Sequence, residues 1–133
     1  MTAYLLDTNH LSPLVTLGHS LRNKILAQVQ AGDSFAIAAP ALNEFLFGIA
    51  TVPRAKTNLL EWESLRRSFI FYAIDEIDAQ RAFELRINLR QRGRQLEVVD
   101  SFIAAIALRY DLHLLTTDQD FVTIPDLKLD NWW

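Results

Sequence analysis

Short apolar runs alternate with longer amphipathic segments along the chain. The short runs cover residues 3–6, 35–38, 69–74 and 113–116; they predict strands, with a last edge strand over 127–129. Between them, apolar residues recur at helical spacing over 20–31, from Pro40 to about 51, and over 54–67, 75–92 and 99–110. This alternation predicts an α/β fold with a mostly parallel central sheet that is covered by helices on both faces.

The length and composition of the chain restrict the chemistry that it can perform. Its 133 residues match one compact domain, and no internal repeat or long linker divides them, so we expect a single domain over 1–133. The absence of cysteine excludes a thiolate zinc site and a cysteine nucleophile. The net charge of -3 argues against broad non-specific binding of nucleic acid. With no leader or membrane-length apolar run before Asp7, we expect a cytoplasmic protein.

Acidic residues stand at four places where strands end or where helices carry apolar residues. Asp7 ends the first strand, Glu44 lies among apolar helical neighbours, and Asp100 has apolar residues three, four and seven positions later. Asp118 and Asp120 follow the strand predicted at 113–116. Each has an ordinary alternative explanation: strand-end or helix caps, a rim glutamate, or turn residues.

One joint explanation covers all four places. In open parallel sheets, ligand sites gather at the carboxyl ends of the strands, so the predicted topology brings these acidic residues to one edge. Carboxylates crowded there repel each other, and their pKa values rise unless a cation stabilises the charged forms. Hard oxygen ligands favour Mg²⁺ or Mn²⁺. The pattern therefore predicts a divalent-metal site.

Four motifs occur in a fixed order along the chain. They are Leu-Leu-Asp-Thr-Asn at 5–9, Glu44, Asp-Ser-Phe-Ile-Ala-Ala at 100–105 and Leu-Thr-Thr-Asp-Gln-Asp-Phe at 115–121. As a set, they resemble the motifs of the PIN-domain family, and in particular those of the VapC-type toxins of bacterial and archaeal toxin-antitoxin pairs. The resemblance extends from residue 3 to the final tryptophans and implies a PIN-like three-layer sandwich.

The resemblance also implies a set of site residues. The acidic quartet would be Asp7, Glu44, Asp100 and Asp118. Thr8 or Asn9 would steady this site through hydrogen bonds. The last motif is one residue shorter than in many such proteins, so the fourth acidic role falls to Asp118 or Asp120.

The implied activity is that of a Mg²⁺- or Mn²⁺-dependent endoribonuclease. In the mechanism that we expect, Asp7 and Asp100 bind the principal cation, and a metal-activated water attacks the RNA phosphodiester. Glu44 and Asp118 bind a second cation or orient the water. The family further implies a homodimer and a VapB-type antitoxin whose tail blocks the acidic groove.

Other side chains offer secondary candidates for binding. Four arginines precede the Asp100 helix: Arg86, Arg90, Arg92 and Arg94. They either meet substrate phosphates or form a solvated face with salt bridges to Glu84 or Glu97. The apolar residues of 45–49 and Leu59, Leu60, Trp62 and Leu65 suggest an interface. The three histidines lack ligand spacing to one another and are expected to be structural or surface residues.

Two rival functions stay open at this point. A haloacid-dehalogenase-like phosphatase also begins with a hydrophobic strand and Asp7, but it needs a second aspartate where this chain has Asn9. The other rival is a catalytically silent PIN-like module that binds RNA or protein. Such a module would be expected to lack one of the carboxylates, and none is missing here.

Overall fold

The central sheet in the computed structural model, which describes residues 1–133, contains five strands. They are β1 (Ala3–Leu6), β2 (Ser34–Ala38), β3 (Ile70–Tyr72), β4 (His113–Leu115) and β5 (Leu129–Asp130). Their order across the sheet is β3-β2-β1-β4-β5, and every neighbouring pair is parallel. The predicted parallel α/β architecture is confirmed, although the last strand lies at 129–130 rather than 127–129.

Six helices connect and flank these strands. They are α1 (Thr8–Leu11), α2 (Ser20–Gln30), α3 (Ala39–Ala50), α4 (Ala55–Leu65), α5 (Glu76–Gln91) and α6 (Val98–Arg109). Short 3₁₀ helices lie at Ser12–Val15, Arg66–Ser68 and Gln119–Thr123. Proline in the first turn of α3 suits a helix start, because its missing N–H has no partner there in any case. No helix has both the length and the apolar content to span a membrane.

The core lies on both faces of the sheet. The last four residues of β2, which point alternately to opposite faces, are all buried, so helices must cover the sheet on both sides. The core takes in three residues that the sequence suggested for an interface: Phe45, Ile49 and Trp62 are no more than 5% exposed. The interface prediction was wrong for these three, since their rings and branches fill the space between α3, α4 and the sheet. Phe47 and Leu60 do remain exposed.

The strand order reverses between β1 and β4. From β1 the chain moves to β2 and β3 on one side, whereas β4 and β5 lie on the other side. Side chains that follow β1 and β4 therefore meet at a switch point, where open parallel sheets form their crevices. Asp7 follows β1, and Thr116 and Asp118 follow β4.

Candidate metal centre

Asp7 is fixed by the junction between β1 and α1. Its backbone N–H donates to the Leu115 carbonyl at 3.0 Å, which extends the pairing of β1 with β4 by one residue. Its Oδ1 accepts the Thr8 N–H at 2.8 Å, so the side chain caps α1. The capping explanation is thus correct for one oxygen of Asp7. The other oxygen, Oδ2, takes no part in the cap and bonds to side chains outside α1 or on its first turn.

The second oxygen of Asp7 is held by two side chains. The Thr116 hydroxyl donates to Oδ2 at 2.7 Å, and the Asn9 amide nitrogen donates to it at 3.2 Å. Burial raises the pKa of Asp7 above its usual range, the bonds from Thr116 and Thr8 oppose that rise, and the charges of Asp118 and Glu44 add to it. Asp7 is only 7% exposed, so its carboxylate is oriented before any ligand arrives.

Asp100 lies in the first turn of α6 but does not cap the helix. Glu97 holds the N-cap position, and α6 has no side-chain cap. Burial first, and then the charges of Asp7, Asp118, Asp120 and Glu44 in that order, together raise the pKa of Asp100 to about 7. The capping alternative therefore fails for this residue, whose carboxylate is directed at other carboxylates.

Asp118 and Asp120 occupy the turn after β4. Asp118 caps the 3₁₀ helix Gln119–Thr123 by accepting the Asp120 N–H at 2.9 Å, and its own N–H donates to the Thr116 hydroxyl at 3.0 Å. One oxygen each from Asp100, Asp118 and Asp120 lie within 4.8 Å of one another. The charge of Asp118 contributes to the raised pKa of both Asp7 and Asp100, and Asp118 is half-buried, whereas Asp120 is exposed. Asp118 is therefore the better placed of the two candidates for the fourth acidic position.

Glu44 stands at the rim of the same cluster. It is exposed on α3, and its Oε2 accepts a hydrogen bond from the Thr8 hydroxyl at 2.9 Å. Its charge contributes to the raised pKa values of Asp7 and Asp100. Glu44 is therefore a rim glutamate, as one explanation expects, and the rim on which it lies is that of the acidic crevice.

The crevice brings together all five acidic residues singled out in the sequence, and none of them is neutralised by a basic side chain. The five ion pairs of the structure all involve other carboxylates. Three carboxylates with oxygens within 4.8 Å, and no thiolate or imidazole among them, form a donor set that fits a hard divalent cation. The neighbouring carboxylates repel Asp100 and raise its pKa, and a bound cation would offset this repulsion.

The sequence analysis missed the role of Thr116. Its side chain is buried, it donates to Asp7 and it accepts from the Asp118 backbone, so it joins the ends of β1 and β4. The sequence does carry one signal for this role, because Thr116 stands between the apolar Leu115 of the strand and the acidic turn at 118–120. Thr8 and Asn9 do support the site as expected, through Glu44 and Asp7 respectively.

Comparison with known proteins identifies the family of this chain. A sequence profile of the PIN domain matches residues 4–127, which is almost the whole chain. The chain belongs to the PIN-domain family. A curated relative is Ribonuclease VapC4 of Mycobacterium tuberculosis, with 29% identity over 101 residues, 74% of this chain and 78% of the relative.

Solved VapBC structures have the same fold as this chain. The VapBC2 complex of Rickettsia felis, bound to a promoter DNA fragment, matches 99% of this chain and 100% of the other, with a TM-score of 0.86 and 22% identity. The DNA-bound VapBC complex of Salmonella typhimurium covers 100% of both chains, with a TM-score of 0.84 and 21% identity. At these identities the likeness shows the shared fold.

The arginine segment of this PIN domain borders the acidic crevice. Arg94 and Asp120 line one recess of about 270 Å³, and Arg92 donates to the Thr123 carbonyl at 3.0 Å. A second recess of about 450 Å³ includes Arg86, Arg90 and Arg94. None of the four arginines takes part in an ion pair, so the predicted alternative of salt bridges to glutamates does not hold.

Proposed function

We propose that this PIN domain is a metal-dependent endoribonuclease and the toxin of a VapBC-type toxin-antitoxin pair. The observation that carries the proposal is the convergence of uncompensated carboxylates at the switch point between β1 and β4. A relative named as a ribonuclease and structural neighbours named as VapBC complexes support the same function.

In this proposal, Asp7 and Asp100 hold the principal cation, Mg²⁺ or Mn²⁺. Asp7 suits this role because the bond from Thr8 to one oxygen and the bonds from Thr116 and Asn9 to the other hold its carboxylate in one orientation. Asp100 suits it because no hydrogen bond within α6 competes for its carboxylate as a cap. A bound cation supplies charge that lowers the pKa of water and stabilises the attacking and leaving oxygens of a phosphodiester.

Glu44 and Asp118 act from opposite sides of the crevice, where they hold a second cation or orient the attacking water. Glu44 reaches the site from α3, and its bond with the Thr8 hydroxyl fixes one of its oxygens. Asp118 reaches it from the turn after β4, where its cap bond to Asp120 fixes one of its oxygens too. Asp120 supplements Asp118 as a ligand on the open side.

The substrate RNA is anionic, whereas the crevice is acidic, so positive charge must be supplied beside it. Arg94 is suited to bind an RNA phosphate, because it lines a recess together with Asp120 and has no carboxylate partner. Arg92 is tied to Thr123 and so keeps this segment close to the Asp118 turn. A guanidinium so placed can bind phosphate oxygens bidentately.

The proposed partners are a VapB-type antitoxin and a second copy of this chain. An apolar groove of about 630 Å³ is lined by Leu42, Leu46, Leu59 and Phe71, among others. Phe47 and Leu60 stay 70% and 66% exposed. Because these two side chains lie on α3 and α4, the helices that also line the groove, they extend its apolar surface, and a contiguous apolar surface marks a protein interaction site. The structural neighbours that carry an antitoxin support assigning a partner to this chain.

The test is cleavage of a structured RNA mixture by antitoxin-free protein in Mg²⁺, Mn²⁺ or EDTA. Asp7→Asn retains the shape of the side chain but removes its charge, and we expect the cleavage rate to fall by about 100-fold or more, since the cation is held less tightly. The matched control is Asp126→Asn. Asp126 is exposed with a φ of 66°, a conformation that asparagine also adopts.

Equal rates for the wild type and Asp7→Asn, or full cleavage in EDTA, would contradict the proposal. An inactive wild type that still binds RNA or an antitoxin would favour the other candidate function, a catalytically silent PIN-like binding module. The complete acidic set in the crevice makes the nuclease the better supported of the two.

A further inference from the structure

The amide of Asn9 has to be held in one orientation for Asp7 to receive a donor. Its Nδ2 lies 3.2 Å from Asp7 Oδ2 and 3.4 Å from the Thr116 hydroxyl, and its Oδ1 accepts the Thr117 N–H at 3.1 Å. If the amide rotated by half a turn, its carbonyl would face the Asp7 carboxylate, and two acceptors would meet. The orientation of this amide therefore decides whether Asp7 is supported or repelled.

His10 makes the second contact to the Asn9 oxygen. The His10 side chain is fully buried, and its Nδ1 lies 2.7 Å from Asn9 Oδ1. Its Nε2 lies 3.1 Å from the backbone nitrogen of Trp132. A backbone N–H can only donate, so Nε2 must accept, and the proton of the neutral ring must sit on Nδ1. His10 therefore donates to Asn9 Oδ1, which leaves only the amide nitrogen to face Asp7.

The Trp132 backbone that sets this tautomer is itself anchored. The Trp132 ring packs edge-on against Tyr4 at 4.9 Å between centroids and against Phe35 at 5.8 Å. The Lys24 ammonium lies 4.1 Å from the centre of the same ring. The indole N–H donates to Asp130 Oδ2 at 3.0 Å. These contacts hold Trp132 against β1 and β2, so its backbone N–H points at His10 from a fixed position.

Residues 130–132 also support Asp7 through a second series of hydrogen bonds. The Asp130 carbonyl accepts the Thr116 N–H at 3.0 Å, and the Thr116 hydroxyl then donates to Asp7 Oδ2. Residues 130–132 thus reach one carboxylate oxygen through Thr116 on one side and through His10 and Asn9 on the other.

We propose that His10 is a positioning residue of the metal centre: the Trp132 N–H fixes its tautomer, and its Nδ1–H then orients the Asn9 amide that supports the carboxylate of Asp7. The inference rests on the proposed function, because it assigns the support of a side chain that is proposed to bind the cation. Groups that orient metal ligands from outside the coordination sphere typically change metal affinity about 10–100-fold when they are lost. His10 acts through Asn9, so we expect its effect at the lower end of that range.

Two substitutions at His10 separate positioning from packing. In His10→Asn, the amide nitrogen occupies the place of Nδ1 and can still donate to Asn9, but the acceptor for Trp132 is lost. In His10→Gln, the amide oxygen occupies the place of Nε2 and accepts from Trp132, but the donor to Asn9 is lost. Both variants remove the buried ring, and a purely structural role would weaken His10→Asn at least as much as His10→Gln, because asparagine is shorter and leaves the Trp132 N–H without an acceptor.

The readout is Mn²⁺ binding to the metal-free variants by isothermal titration, with thermal unfolding of each as a check on folding. We expect the dissociation constant to rise about tenfold in His10→Gln and to stay within about threefold of the wild type in His10→Asn. Nitrogen NMR of histidine-labelled wild type should show a protonated Nδ1 and an unprotonated Nε2 for His10.

Equal affinities in the wild type and in both variants would overturn the role of His10 while the metal centre stood. So would a His10→Asn variant that is weakened as much as His10→Gln or more, or the opposite tautomer. A wild type that bound no Mn²⁺ would instead show that the proposed metal centre is wrong, and the positioning role with it.

Discussion

The chain contains two clusters of aspartates whose electrostatics are opposite. At the start of α5, Asp75 and Asp78 each accept the other's backbone N–H, and Arg109 donates to both carboxylates, at 2.8 and 3.2 Å. The hydrogen bond from Arg109 is the main reason that the pKa of Asp75 is lowered. In the crevice, by contrast, burial and neighbouring carboxylates raise the pKa of Asp100 to about 7.

The direction of the pKa shift distinguishes acidic residues that stabilise the fold from candidate site residues, whereas the residue type, aspartate in both clusters, does not. The α5 cluster is complete within the fold, since helix amides and one guanidinium satisfy its charges. The crevice cluster is incomplete, because the donors that support it are all neutral: groups of Thr8, Asn9 and Thr116, and the backbone N–H of Asp120. A site whose charge balance requires something outside the chain is a candidate for binding it.

The largest effect that we expect is on cleavage, and it concerns the two aspartates of the turn after β4. Asp118→Asn should lower the cleavage rate by about 100-fold, since the Asp118 charge reaches both Asp7 and Asp100. Asp120→Asn should lower it by no more than about tenfold, because Asp120 is exposed whereas Asp100 and Asp118 are half-buried. Asparagine at 118 can still cap the 3₁₀ helix with its side-chain oxygen. Single-turnover cleavage measures both, and the reverse ranking would transfer the fourth acidic role to Asp120.

A smaller effect, on stability, should distinguish the α5 cluster. Asp78→Asn replaces an acceptor with a donor that faces either the Asp75 N–H or Arg109, so the free energy of unfolding should fall by about 2 kcal/mol. The exposed Glu76→Gln, in the same helical turn, should change it by about 0.5 kcal/mol or less. Urea unfolding gives both values. If Asp78→Asn lost cleavage per folded molecule as Asp118→Asn does, the division between the clusters would be wrong.

Much of the fold and of the acidic site was predictable from the sequence, because both depend on local patterns. Four of the five strands and the helices from α2 onward follow from apolar spacing, and the acidic residues follow from their positions at strand ends or on apolar helix stripes. The exception among the strands is β5, where two residues at 129–130 carry too little periodicity to fix the register.

The supporting shell of the site was not predictable for a different reason. Thr116 and His10 bond to partners up to 122 positions away in the chain, and no local pattern reports such contacts. His10 lacks ligand spacing to another histidine, so the sequence favours a structural role for it. Its two ring contacts are visible only once residue 132 is packed beside β1.

The smallest predicted effect is a pH-dependent gain of stability from Asp100→Asn in metal-free protein. The pKa of Asp100 is 3.8 in the unfolded chain and about 7 in the native one. Between these two pH values the native state binds more protons than the unfolded state, so the free energy of unfolding falls as the pH rises. Asparagine has no proton to lose. The variant should therefore be about 1–2 kcal/mol more stable than the wild type at pH 8, a value reduced for partial solvent exposure, and nearly equal to it at pH 4.

Urea unfolding in EDTA at the two pH values measures this difference, with Asp126→Asn as the control. His10, whose burial lowers its pKa to about 4, destabilises the native state as pH falls below 6.5, but it does so equally in both proteins and cancels in the comparison. Saturating Mn²⁺ should reverse the order at pH 8, because only the wild type retains the full ligand set. If the stability difference were independent of pH, the pKa of Asp100 would not be raised in the native protein. The electrostatic contrast between the crevice and the α5 cluster would then be wrong.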